Sequence, residues 1–316
     1  MSYKKKKLKK SALGQLKFQL GQIGRALLYR VQALLQKIRL PQREVEEEVT
    51  VLNLPKVLEI LGRYDRLPNN PDTSSIEPAI LAQIEKEGKL RLCVFVCPKF
   101  NPKALVSSEP EKYMPVEVGT FGLFEDRITK IILLKNELMQ AGLATEINLV
   151  LGDNDAEEYI FPFIEGFTLD PQCYRQRQST YRGAFEERCK SLFGVKGCVV
   201  WSLAEFGVVM ENDLPNISQE SLKKELGFFS WLFSGAGPYR GEFSFSETVI
   251  AEMVMRKYRL YGAQGKFLEM LGGILLQTEG PGVWLERTQM LRCTGARAIP
   301  AIYPWIRKGE TNQVAQ

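Results

Sequence analysis

The sequence predicts an α/β protein: a doubly wound, mostly parallel sheet of about five strands, preceded by a basic amphipathic helix. Three observations carry that expectation. Short β-prone apolar runs alternate with longer segments of helical period through residues 90–305. A hydrophobic content of 45% with 25% charged residues suits a sizeable buried core. No apolar run approaches the roughly 18 to 20 residues that span a bilayer.

The elements follow in order. Residues 13–38 carry Leu13, Leu16, Leu20, Ile23, Leu27, Val31, Leu34 and Ile38 at three- and four-residue spacing, an amphipathic helix that Pro41 ends. Residues 44–89 read as a connector with a helix or two, broken by the loop Leu67-Pro68-Asn69-Asn70-Pro71-Asp72. The core begins at residue 90. Arg91-Leu92-Cys93-Val94-Phe95-Val96 is a strand that breaks into Cys97-Pro98-Lys99-Phe100-Asn101-Pro102-Lys103. A helix over residues 122–141 sets Ile128, Ile131, Ile132, Leu134 and Leu138 on one side. Glu146-Ile147-Asn148-Leu149-Val150-Leu151 is the second strand, ending in Gly152-Asp153-Asn154-Asp155.

Residues 179–193 form the next helix and residues 197–203 the third strand. Ser218 caps a helix running through Phe233, and residues 245–271 give the longest helical pattern. Residues 273–278 form a fourth strand. Residues 298–303 form a fifth at a sheet edge, because Pro300 has no N–H to give a central ladder. Strands alternating with helices in this way imply a Rossmann-like core over residues 90–316.

Composition excludes whole classes of chemistry. The chain has no histidine, so no Ser-His-Asp or Cys-His nucleophile system exists within it. Acid–base work falls to Asp, Glu, Lys, Tyr or Cys. The six cysteines are scattered and read as reduced thiols. The start, Met1-Ser2-Tyr3-Lys4, leads into charge rather than a secretory signal, which gives a cytoplasmic expectation. The net charge of +5 hides a split. Residues 1–43 hold 12 Lys or Arg and no acid, leaving 30 basic against 37 acidic residues in the remainder, a net −7. Three readings fit this arm: a helix docked on its own core, an anionic membrane surface or partner groove as target, or nucleic acid.

In open α/β sheets ligands bind outside the carboxyl ends of the strands. Lys99, Asn101 and Lys103 follow the first strand, where two lysines can hold a carboxylate or phosphate; a soluble surface turn is the alternative. Cys97 sits where a nucleophile would sit, or is a buried structural thiol. Asp153 and Asp155 follow the second strand. They can orient an amine, bind a divalent cation or act as base, or simply form a capping turn. Two carboxylates so close in sequence are expected to titrate as a coupled pair. Arg256, Lys257 and Tyr261 lie on the long helix, where they can reach substrate or serve ion pairing and packing. Glu279 ends the fourth strand, before Gly280-Pro281-Gly282 and Trp284. No G-x-G-x-x-G fingerprint or Walker A lysine is present.

This layout resembles the pyoverdine/dityrosine biosynthesis family, the isocyanide synthases, whose core runs from a strand into a Pro-Phe-Lys-type loop, a helix, and a strand ending near Asp-Gly. Pro98-Lys99-Phe100-Asn101-Pro102-Lys103 and Gly152-Asp153-Asn154-Asp155 occupy similar places. Lys257 and Tyr261-Gly262 match the family's later Arg and Tyr-Ser helix, and Ile274-Leu275-Leu276-Gln277-Thr278-Glu279 matches the position of its Arg-Leu-Ser-Ile-His strand, without the Arg and His. The resemblance implies condensation of a sugar phosphate with an amino acid, and the two departures fall on that chemistry. A shorter stretch, Cys97-Pro98-Lys99-Phe100-Asn101, is similar to the Ser-Pro-Phe-Asn-type loop of tRNA-dependent cyclodipeptide synthases, with Cys in the nucleophile position and one residue inserted. The expected function is a cytoplasmic biosynthetic enzyme, of transferase or lyase type, acting on an amino acid or similar anionic metabolite. Its catalytic set is Asp153, Asp155, Lys99 and Glu279, with Lys103, Asn101, Arg256, Lys257 and Tyr261 binding substrate. The alternatives are an aminoacyl-tRNA-dependent transferase, and a non-catalytic protein whose basic arm binds a membrane surface, tRNA or a protein partner.

Overall fold

The computed structural model describes residues 52–67, 69–96, 106–108, 125–165, 170–194, 197–213, 217–233, 237, 239, 243, 245–277 and 299–305. The basic arm, Cys97, Lys99, Asn101, Lys103, Glu279 and the Gly280–Trp284 turn lie outside the described residues, as does the side chain of Asp155.

Two helices precede the sheet. Helix α1 (Leu54–Tyr64) starts where the Asn53 side chain accepts the Lys56 N–H at 3.0 Å, and buries Val57, Ile60 and Leu61 at helical spacing. Helix α2 (Thr73–Glu87) ends at Gly88, whose φ of 68° is the left-handed stop that glycine adopts without a Cβ clash. The sheet elements follow as β1 (Leu90–Val96), α3 (Glu125–Gln140), β2 (Thr145–Leu151), α4 (Asp155–Tyr159), α5 (Pro171–Phe193), β3 (Cys198–Ser202), α6 (Gln219–Phe233), α7 (Glu247–Leu271), β4 (Ile274–Leu276) and β5 (Ala301–Ile302). Ser218 and Ser246 cap α6 and α7 by accepting the N–H groups of Ser221 and Val249. Helix α5 begins at Pro171, a full two turns before the expected residue 179, with Asp170 accepting the Gln172 N–H at 3.0 Å. Its polar, arginine-rich first half hid that start, since apolar periodicity begins only where the helix meets the core.

All five strands pair in parallel, in the order β3-β2-β1-β4-β5. That is five strands of the doubly wound Rossmann order, and β5 is the expected edge strand after Pro300. The sheet has two unlike faces. Leu92, Val94, Ile147, Leu149, Cys198 and Leu276 join Val57, Ile80, Ile131, Leu138, Phe185 and Cys189 in one apolar cluster, so α1, α2, α3 and α5 share this core. The opposite face meets α7. There Phe95 packs edge-on against Tyr261 at 6.4 Å, Trp201 packs on Phe267 at 5.9 Å, and Trp201 Nε1 donates to Asn148 Oδ1 at 2.7 Å.

The turn from α7 into β4 depends on glycine. Gly273 has φ 90°, and a Cβ there would stand 2.2 Å from the Arg91 carbonyl oxygen. This close approach seats β4 beside β1, with Leu92 opposite Ile274 and Val94 opposite Leu276. At the outer edge, the turn between α1 and α2 covers β5. Asn70 Nδ2 donates to the Ala301 carbonyl at 2.8 Å, the Ala301 N–H donates to Asp72 at 2.9 Å, and the Tyr303 N–H donates to Asp65 at 3.2 Å. Residues Ala204–Gly207 form a separate short turn in which the Gly207 N–H donates to the Ala204 carbonyl. No helix among the described residues is long and apolar enough to cross a membrane.

Candidate functional site

The strand order fixes where a ligand crevice can open. Chain direction from β1 proceeds to β2 and β3 on one side and to β4 and β5 on the other, so the switch point lies between β1 and β4. The segments leaving these two strands carry Lys99, Asn101 and Lys103 after β1, and Glu279 after β4.

Asp153 stands one strand away. The Gly152 N–H donates to the Val96 carbonyl at 2.8 Å, carrying the β1–β2 pairing past the strand end before the chain turns into α4. Asp153 and Asn154 then send their side chains to different neighbours. Asp153, 3% exposed, accepts the Ser202 hydroxyl at 2.6 Å on Oδ2, and Arg182 Nη1 stands 3.5 Å from the same oxygen. Arg182 is held in turn by donating to Ser202 Oγ at 3.2 Å and Ser179 Oγ at 3.0 Å. Gln178 donates to the Asp153 carbonyl at 3.1 Å. Asn154 instead donates to the Val208 carbonyl at 2.6 Å and accepts from Gln264 of α7 at 3.2 Å. The strand-end carboxylate is thus oriented by a hydroxyl and a guanidinium.

A second carboxylate lies one helical turn on. Glu157 of α4 pairs with Arg175 at 2.8 Å. Burial pushes its carboxyl above the ordinary range; Arg175 opposes the shift, while the charges of Glu158 and Asp153 add to it. Asp153 and Glu157 therefore differ in setting: one carries two donors on a single oxygen, the other pays for burial with a single cation.

The three candidates on α7 go to three places. Arg256 donates from Nε to the Glu158 carbonyl at 2.9 Å and lies 5.7 Å over the Phe163 ring, fastening α7 to α4. Lys257 is buried and forms an ion pair with Glu225 of α6, its ammonium facing Phe229 at 5.1 Å and Tyr261 at 5.5 Å. Tyr261 is buried against Phe95. Asp155 opens α4. The described cysteines are all free thiols, and burial pushes Cys93 up to about 12.

Sequence reasoning found Asp153 and missed Ser202, Arg182, Glu157 and Arg175. Ser202 carried a usable signal, being the last residue of β3 and so at the same sheet edge. Arg182 carried none, because a buried and an exposed arginine on a polar helix read alike. Comparison with protein-family models and with curated proteins returns no match to this chain.

Proposed function

We propose that the protein is an enzyme of small-molecule biosynthesis, binding an amino acid or similar anionic metabolite at the switch point between β1 and β4. The observation that carries this reading is the strand order β3-β2-β1-β4-β5. The segments bearing Lys99, Asn101 and Lys103 and that bearing Glu279 follow the two strands flanking the point where such sheets bind ligands. In this reading Lys99 and Lys103 hold the anionic group with Asn101 and Arg256, while Lys257, paired with Glu225, and Tyr261, buried against Phe95, serve packing rather than substrate contact. Asp153 holds an amine or acts as base, aimed by Ser202 and Arg182. Asp155 and Glu279 are the further candidate acids of this reading, together with Glu157. The isocyanide-synthase resemblance supports the order of the motifs, and a cyclodipeptide-synthase-like transfer would place Cys97 as nucleophile.

The test needs no known reaction. Ligand-induced thermal shifts from a panel of amino acids and phosphorylated metabolites are measured for the parent, Lys99→Ala and Asp153→Ala. A shift in the parent that both variants lose supports the site; equal shifts in all three remove it. The charge split motivates a second reading, a protein acting through its basic arm on a membrane surface, tRNA or a protein partner. Deletion of residues 1–43 that abolishes salt-sensitive binding to anionic vesicles or tRNA, while metabolite shifts persist, would assign that role to the arm.

A further inference from the structure

We propose that the junction of α1 and α2 is a second binding site, for a small organic ammonium with an apolar body, separate from the crevice at the strand ends. A cavity of about 420 Å³ opens between the two helices and the turn that joins them. That volume falls in the range of sites for metabolite-sized molecules. Its floor is aliphatic, from Leu58, Leu61 and Ile76, and accommodates a ring or short alkyl body. Its rim is polar and carries two carboxylates, Asp65 and Glu77, while among the described residues no lysine or arginine contributes to the lining. A ligand that places its apolar part on the floor and a positive charge at the rim matches both features. A carboxylate or phosphate ligand would meet two like charges.

The rim is also stiff. Asp65 accepts from Asn70 at 2.5 Å, from the Leu67 N–H at 3.2 Å and from the Tyr303 N–H at 3.2 Å, so its carboxylate is fixed before any ligand arrives. Preorganised acceptors avoid the ordering cost that weakens binding to mobile side chains. Glu77 is exposed and free to close on the ammonium. The same Asp65–Tyr303 bond connects the cavity wall to the chain just beyond β5, so occupancy would also tighten the sheet edge.

Gly62 supplies a clean test. It lines the cavity on α1, and a Cβ built there meets nothing within 4 Å. Gly62→Met adds a side chain at the cavity lining without a clash at Cβ, from a helical position where glycine is itself unfavourable. The probes are tryptamine, tryptophol and indole-3-acetate, which share one ring system and differ in charge. Binding to the full-length protein is followed by titration calorimetry and by methyl NMR. The expected result is saturable binding of tryptamine, with shifts concentrated at the methyls of Leu58, Leu61 and Ile76. Indole-3-acetate should bind detectably more weakly than tryptophol. Gly62→Met should abolish tryptamine binding, and Glu77→Gln should weaken it about threefold, as expected for one exposed ion pair. Absence of tryptamine binding, methyl shifts elsewhere, equal affinity for the carboxylate, or binding that survives in a folded Gly62→Met protein would each overturn the assignment.

Discussion

Two buried carboxylates of this protein meet a cation in opposite ways. Glu225 and Lys257 are both almost wholly enclosed, joined across α6 and α7 and walled by Phe228, Phe229 and Tyr261. Asp153 is equally buried, but its partner Arg182 retains 16% side-chain exposure and shares its contacts with Ser202 and Ser179. The first pair is sealed: the cation meets the Glu225 carboxylate and is faced by three aromatic rings. The second stands at the end of a strand, in a network of hydroxyl and amide groups. The difference separates a charge pair enclosed between two helices from one at a strand end, a distinction that the sequence positions of Lys257 and Asp153 do not show.

That comparison can be broken. The largest effect should come from Glu225→Ala, which leaves the Lys257 ammonium buried without its counter-ion. A loss of about 3–5 kcal/mol in urea unfolding is expected. The double variant Glu225→Leu/Lys257→Met should recover much of it, because both desolvation costs vanish together. If Glu225→Ala is as stable as the parent, the pair is not sealed and Lys257 returns as a candidate for substrate contact.

Asp153→Asn should cost less, about 1–3 kcal/mol, since the hydrogen bond from Ser202 survives and only the charge opposite Arg182 is lost. Its signature is instead the loss of metabolite-induced thermal shift. A large stability loss with unchanged shifts would make Asp153 a second structural pair.

The smallest effect is expected at Glu157, and it has a sign. Its carboxyl lies above the ordinary range in the folded protein, chiefly through burial, so the folded state holds the proton more tightly than the unfolded chain. Stability from this group is greatest below the unfolded carboxylate pKa and is lost as pH rises through the folded one. Glu157→Gln, which mimics the protonated form, should match the parent in acid and exceed it by about 0.5 kcal/mol at neutral pH, the scale of a partly exposed ion pair. Unfolding curves at several pH values decide it; a variant less stable than the parent at neutral pH would mean that the Arg175 pair outweighs burial.

The comparison also explains what the sequence could disclose. Strand and helix periodicity is a local signal. The runs at residues 91–96 and 146–151, and the spacing of Ile128, Ile131, Leu134 and Leu138, therefore correspond closely to β1, β2 and the buried face of α3. The edge position of β5 followed from the missing N–H of one proline. Asp153 was legible because strand ends are where such sheets gather ligands. Partners were not legible. Glu225 lies 32 residues from Lys257, and Ser202 lies 49 residues from Asp153, so neither pairing leaves a trace in local spacing. The start of α5 was invisible for a related reason: its first turns are held by a cap and by Tyr174 packing on Phe161, a single aromatic that sets no apolar period.

The turn that covers β5 has a consequence for how the molecule reaches this state. Asn70 and Ala301 are separated by 231 residues, and Asp72 and Ala301 by 229, so the edge of the sheet is closed by residues from distant parts of the chain. Bringing them together requires closing a very long loop, whose entropy cost no local contact offsets. A ribosome-bound chain can assemble β1, β2 and β3 with their helices, yet it must leave the β4 side of the sheet unpaired until the last strands emerge. During synthesis, that side of β1 is an unpaired edge open to mispairing with another nascent chain.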